Sequence, residues 1–155
     1  MDKEEEKEEM NFLNTISVYL SGPITYANPE WRTEFSEQLE RIGQEYSVKV
    51  QVYIPLEAEE DSPELIIKRD LEAIQRSDLV VAKVWTTTYG TPMEMFYAYA
   101  ILKKPVLTFC PLRTPSPWII GHSTKIYKTE KGFFRFWASY LKNLKESLIR
   151  EKKEN

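Results

Sequence analysis

Ser77-Asp78-Leu79-Val80-Val81-Ala82-Lys83-Val84, then Trp85-Thr86-Thr87-Thr88-Tyr89, then Gly90-Thr91-Pro92-Met93-Glu94-Met95-Phe96-Tyr97-Ala98 is the stretch that decides the fold. From Asp78 to Val84 five residues in seven are apolar, as in a parallel strand covered on both faces. A polar loop follows, turns at Gly90, and leads into a helix with a carboxylate in its first turn. In open α/β sheets ligands bind where such strands end. Glu94 is therefore the first candidate catalytic group.

The same alternation extends in both directions. Thr15–Leu20 reads as a strand leaving through Ser21-Gly22-Pro23. Trp31, Phe35, Leu39 and Ile42 recur at helical spacing within a helix from Pro29 to Tyr46, with Asn28 as its N-cap. Val48–Ile54 is a second strand, and Ser62-Pro63 opens a helix that runs to about Arg76. After strand three come a helix over Pro92–Leu102, a strand over Pro105–Phe109, a loop over Pro111–Pro117 and a strand over Thr124–Tyr127. A long helix with an aromatic face closes the chain from Gly132 to Arg150. The expectation is a three-layer α/β domain, flavodoxin- or Rossmann-like, on a five-stranded, mostly parallel sheet with right-handed crossovers.

With 155 residues the chain reads as one domain over 13–150, preceded by an acidic, disordered tail over 1–12. The net charge of −3 is set by that tail. Residues 2–9 hold six acids and two bases, which leaves 18 acids and 19 bases elsewhere. A near-neutral body has no field to attract a nucleic-acid polymer. Cys110 is the single cysteine, so no internal disulfide forms and a reducing compartment fits. No signal peptide or membrane-length apolar run is present, and a cytoplasmic location is expected. His122 is the one histidine, which disfavours a zinc site or a Ser-His triad. Neither phosphate-cradling glycine motif occurs, so no cofactor is expected.

Glu94 carries two readings at once. Thr91-Pro92-Met93-Glu94 is a capping box, with Thr at the N-cap and Glu at N3. A carboxylate there also feels the positive helix end, which favours its ionised form. An ionised, positioned carboxylate is what attack on a sugar carbon needs. Asp70 lies on the apolar stripe of Ile66, Ile67, Leu71 and Ile74. An inward acid is costly unless it lies in a polar cleft, or unless the helix rolls to hold it at the edge near Arg69 or Lys68. In the first loop Gly22 permits close backbone approach and Ser21 can donate a hydrogen bond, although a strand-exit Gly-Pro is also an ordinary turn. Thr86–Thr88 is either a β-rich strand end or a set of hydroxyls for sugar or phosphate oxygens. Trp85 and Trp118 are either core or stacking surfaces for a base.

Val18-Tyr19-Leu20-Ser21-Gly22-Pro23, Arg69-Asp70-Leu71-Glu72-Ala73-Ile74, Ser77–Ala82, Gly90-Thr91-Pro92-Met93-Glu94 with Tyr97-Ala98, and Lys104-Pro105-Val106 stand in one order. Together they resemble the nucleoside 2-deoxyribosyltransferase family and the related 2′-deoxynucleoside 5′-phosphate N-hydrolases. The resemblance covers roughly residues 15–110. It implies that Glu94 is the nucleophile, that Asp70 handles the proton of the departing and incoming base, and that Tyr19 orients the nucleophile. It also implies substrate contacts at Ser21, Gly22, Pro23, Thr88, Gly90 and Ser116. The implied partners are a deoxynucleoside or deoxynucleotide and a free base, with no membrane. The implied assembly is a homodimer or larger, in which a neighbouring subunit completes each site, and the implied setting is nucleotide salvage. Six residues before the nucleophile many transferases carry Asp, which here is Thr88. The hydrolases carry serine there and supply another from the neighbouring subunit, which Ser116 matches. Their phosphate-binding Ser and Arg of the first loop correspond here to Pro23 and Thr25. Transfer between bases is the leading expectation, hydrolysis of a 5′-monophosphate the alternative, and a non-catalytic nucleotide-binding protein the second alternative.

Overall fold

The computed structural model describes residues 14–24, 30–55 and 61–155. The expected acidic tail, the Asn28-Pro29 helix start and Thr25 lie outside them. Elements run β1 (Asn14–Ser21), α1 (Glu30–Glu45), β2 (Val48–Tyr53), α2 (Pro63–Arg76), β3 (Leu79–Lys83) and α3 (Gly90–Phe96). A π-helical turn (Tyr97–Ile101), β4 (Val106–Phe109), α4 (Pro117–Gly121), β5 (Lys125–Tyr127) and α5 (Glu130–Glu154) follow. The sheet order is β2-β1-β3-β4-β5, and every pairing is parallel rather than most of them. The order reverses between β1 and β3. Their carboxyl ends, at Ser21 and Lys83, therefore flank the crevice where such sheets take ligands.

Period-two alternation sorts each strand into two faces. Ile16, Val18 and Leu20 of β1 and Leu79 and Val81 of β3 pack with Trp31, Phe35 and Leu39 of α1 and Phe133, Trp137 and Leu141 of α5. Tyr19 of β1 and Val80 and Ala82 of β3 pack on the other face, with Ala73 and Ile74 of α2 and Met95 of α3. The Trp137 indole N–H donates to Leu39 O at 3.1 Å and ties the two helices of the first face together.

The α2 helix starts as its sequence dictates. Ser62 Oγ accepts from Leu65 N at 3.2 Å, and Pro63 follows. Its carboxyl end is held by Lys104, whose ammonium donates to the carbonyls of Ile74, Gln75 and Ser77. Burial there lowers the Lys104 pKa. Lys104 reaches this position because Lys103 takes a left-handed φ of 55° after the π-helical turn.

One local expectation is corrected, and one short element is added. The α3 helix begins at Gly90, not Pro92, and Tyr89 rather than Thr91 is its N-cap. Thr91 is buried inside the helix with its hydroxyl unpartnered among the described residues. The capping box therefore does not form, and Glu94 falls beyond the first turn. The proline-rich segment is a loop as far as Ser116, as expected, and a short helix, α4, begins at its last residue, Pro117. Ser116 caps it by accepting from Trp118 N at 3.2 Å.

Candidate active site

Tyr19 and Ser21 are two residues apart on β1, so both project from the same face of the sheet. That face is covered by α3. The Tyr19 hydroxyl donates to Glu94 Oε2. Ser21 Oγ donates to Glu94 Oε1 at 2.8 Å. Both donors are fully buried, while Glu94 itself is partly exposed. A carboxylate held at both oxygens by buried donors is an aimed group.

The Tyr19 phenol is pushed well above its ordinary pKa, first by burial and then by the charge of Glu94 and the hydrogen bond to it. The charge of Asp70 adds to the shift. Tyr19 therefore keeps its proton and remains a donor at any working pH. Asp70 is carried by α2 and Glu94 by α3, and both helices pack on the Tyr19 face of the sheet. The α2 helix has rolled so that Ala73 and Ile74 are buried and Ile67 is exposed, which leaves Asp70 half-buried at the helix edge. Its neighbour Arg69 is engaged by Asp61, at 2.5 Å. Of the two carboxylates, Glu94 takes the hydrogen bond of the buried phenol, and Asp70 acts on it through its charge.

The remaining expected site residues are placed differently. A Cβ on Gly22 would stand 2.3 Å from the Trp31 ring and 2.9 Å from Lys83 O. Trp31 is the side chain that fills the space a Cβ at this position would need. The Trp31 indole N–H also donates to the carbonyl of Pro23, at 3.3 Å, and Pro23 is buried. Gly90 has helical geometry without a positive φ, so no turn requires its glycine. A Cβ there would meet nothing within 4 Å, and the space above it is open. Thr88 is half-exposed in the loop before it. The Ser116 hydroxyl is engaged in capping α4.

Two features escaped the sequence reading. Tyr53 pairs in register with Tyr19 across β1 and β2, and the rings stack at 5.7 Å. That pairing depends on strand register, which one strand alone does not reveal. His122 lies among the rings of Phe96, Tyr99 and Trp118, at 5.4, 5.9 and 5.6 Å. Trp118 is thus a wall of this outer cluster. Among the described residues no three metal-ligating side chains gather, and no helix is long and apolar enough to cross a membrane.

These features define an open parallel α/β domain with an aimed carboxylate at its topological switch point. The sequence pattern of nucleoside 2-deoxyribosyltransferases matches residues 18–134, and the chain belongs to that family of N-glycosyltransferases and N-glycosidases. Among solved structures, a 2-desoxiribosyltransferase from Leishmania mexicana superposes with a TM-score of 0.57 at 18% identity, covering 80% of this chain and 97% of that one. A CMP N-glycosidase from Clostridium botulinum superposes with a TM-score of 0.51 at 23% identity, covering 77% and 96%. Both share the three-layer fold. No curated protein matches by sequence.

Proposed function

We propose that this protein transfers a 2-deoxyribosyl group between nucleobases through an ester on Glu94. One Glu94 oxygen bonds the anomeric carbon as the bond to the base nitrogen breaks. The electron pair of that bond leaves with the base, and Asp70 supplies the proton that neutralises it. An incoming base reverses the sequence, and two displacements at one carbon retain configuration. A 2-deoxy sugar lacks the electron-withdrawing hydroxyl that opposes positive charge at that carbon, so an oxocarbenium-like transition state is accessible. Tyr19 orients the nucleophile. Thr88 and the open space over Gly90 are offered to the sugar side.

The observation that carries this reading is the hydrogen bonding of both Glu94 oxygens by Tyr19 and Ser21, with Asp70 acting on the same phenol. A homo-oligomer is part of the proposal. The layer of α2, α3, the π-helical turn and α4 exposes Ile67, Met93, Phe96, Tyr99, Ile101, Trp118 and Ile120, apolar side chains that a partner subunit would cover.

Thr88 favours a second reading, hydrolysis of a 2′-deoxynucleoside 5′-monophosphate. A neutral hydroxyl stands where many transferases carry Asp, so no carboxylate at this position repels a phosphate. Incubation with a deoxynucleoside or its 5′-monophosphate, with and without a second base, separates the two. Exchange that needs the acceptor base supports transfer. Free sugar phosphate formed regardless of acceptor supports hydrolysis. Binding without cleavage leaves only a nucleotide-binding protein.

A further inference from the structure

The two donors that hold Glu94 differ in mobility. Tyr19 is wedged, with its ring fully buried, stacked on Tyr53 at 5.7 Å, and its hydroxyl direction set by that ring. Ser21 is the last residue of β1, and its hydroxyl swings about a single side-chain bond. They also hold different atoms, Tyr19 on Oε2 and Ser21 on Oε1.

We propose that Oε1 is the oxygen that bonds the sugar, and that Ser21 is the donor that lets it go while Tyr19 stays on Oε2. This rests on the reading of Glu94 as nucleophile. When Oε1 joins the anomeric carbon, the carboxylate becomes a neutral ester. Oε2 is then its carbonyl oxygen and still a good acceptor, so the fixed phenol keeps its partner. Oε1 becomes the alkyl oxygen, loses its charge, and accepts weakly. The group facing Oε1 must therefore be able to turn away, and Ser21 is the one that can. Its hydroxyl then faces the oxygens of the bound sugar. With the roles exchanged, a buried phenol with no freedom to rotate would be stranded opposite an ester alkyl oxygen, at the cost of an unsatisfied buried donor.

On this assignment Ser21 is a positioning residue that stabilises the ionised resting carboxylate and not the ester. Removing it destabilises only the starting anion. Two readouts follow for Ser21→Ala in the full chain exposed to a 2′-deoxynucleoside. The acid limb of ester formation moves to higher pH by about one unit, because a carboxylate that loses a donor holds its proton more tightly. The ratio of ester to free enzyme in the presence of released base rises about tenfold. Intact-mass measurement of quenched samples from acid to neutral pH reads both. Asp70, Tyr19 and Tyr53, the charged or titratable groups that act on this site, are the same in both proteins, so the displacement between profiles reports Glu94. Ser21→Cys, nearly the same size with a weaker donor, gives a smaller shift of the same sign and serves if the alanine variant does not fold. Tyr19→Phe gives an ester that turns over more slowly with added base, since its carbonyl has lost a donor. An unmoved acid limb in Ser21→Ala, or a smaller ester fraction, overturns the oxygen assignment. A wild-type protein that never carries a sugar on Glu94 overturns instead the nucleophile reading beneath it.

Discussion

The two faces of the sheet are built from different chemistry. The α1/α5 face is filled with Trp31, Phe35, Leu39, Phe133, Trp137 and Leu141, and even Lys83 is laid over the rings of Trp31, Phe35 and Phe109. The α2/α3 face has smaller buried side chains such as Ala73, Ala82 and Ala98. It also carries the buried polar group of Tyr19 and Ser21, the orphaned Thr91 hydroxyl, a π-helical turn and most of the exposed large apolar side chains. One face is tightly packed and carries the stability. The other is interrupted by a π-helical turn, and Glu94 is held on it. Irregular helix turns are frequent at functional sites. Orphaned donors do not separate the faces, because the Trp85 indole N–H, packed against the first, is unpartnered among the described residues as the Thr91 hydroxyl is.

Substitutions on opposite faces should separate the two properties. Glu94→Ala, on the site face, is expected to lower turnover by at least about 10³-fold and abolish any sugar adduct, with the melting temperature little changed. Near wild-type turnover ends the nucleophile reading. Trp137→Ala, on the packed face, is expected to cost about 3–5 kcal/mol in urea unfolding while the folded fraction keeps its activity. Equal loss of both properties would erase the distinction between faces. Lys104→Met strips the cation from the carboxyl end of α2 and leaves its carbonyls short of a donor. A loss of about 1–2 kcal/mol is expected, with faster amide exchange in the last turn of α2.

The smallest effect concerns pH. The Tyr19 phenol titrates higher folded than unfolded, so its contribution is intact below its ordinary pKa of 10.0. Above that value the unfolded chain releases the proton and the folded one does not, and stability falls as pH rises. Tyr19→Phe is expected to flatten the alkaline slope of unfolding free energy. An unchanged slope would show that the phenol ionises freely in the folded protein.

Much of this was legible because the cues are local. The Ser62-Pro63 start of α2, the apolar run of β3 and the ring spacing of α1 each depend on near neighbours along the chain. Local cues also misled. Thr91-Pro92-Met93-Glu94 has the composition of a capping box, yet the helix starts two residues earlier and Glu94 is taken up by β1.

The sequence alone determined the order of elements, the parallel sheet and the candidacy of Glu94, Asp70 and Tyr19, because periodicity, turn residues and motif order are properties of a one-dimensional chain. The tertiary structure decided which side chains meet: Ser21 on the second oxygen of Glu94, and Tyr53 against Tyr19. These contacts depend on strand register and on how far a helix rolls over the sheet. Both are set by the balance of packing across the whole domain, which no local stretch of residues encodes.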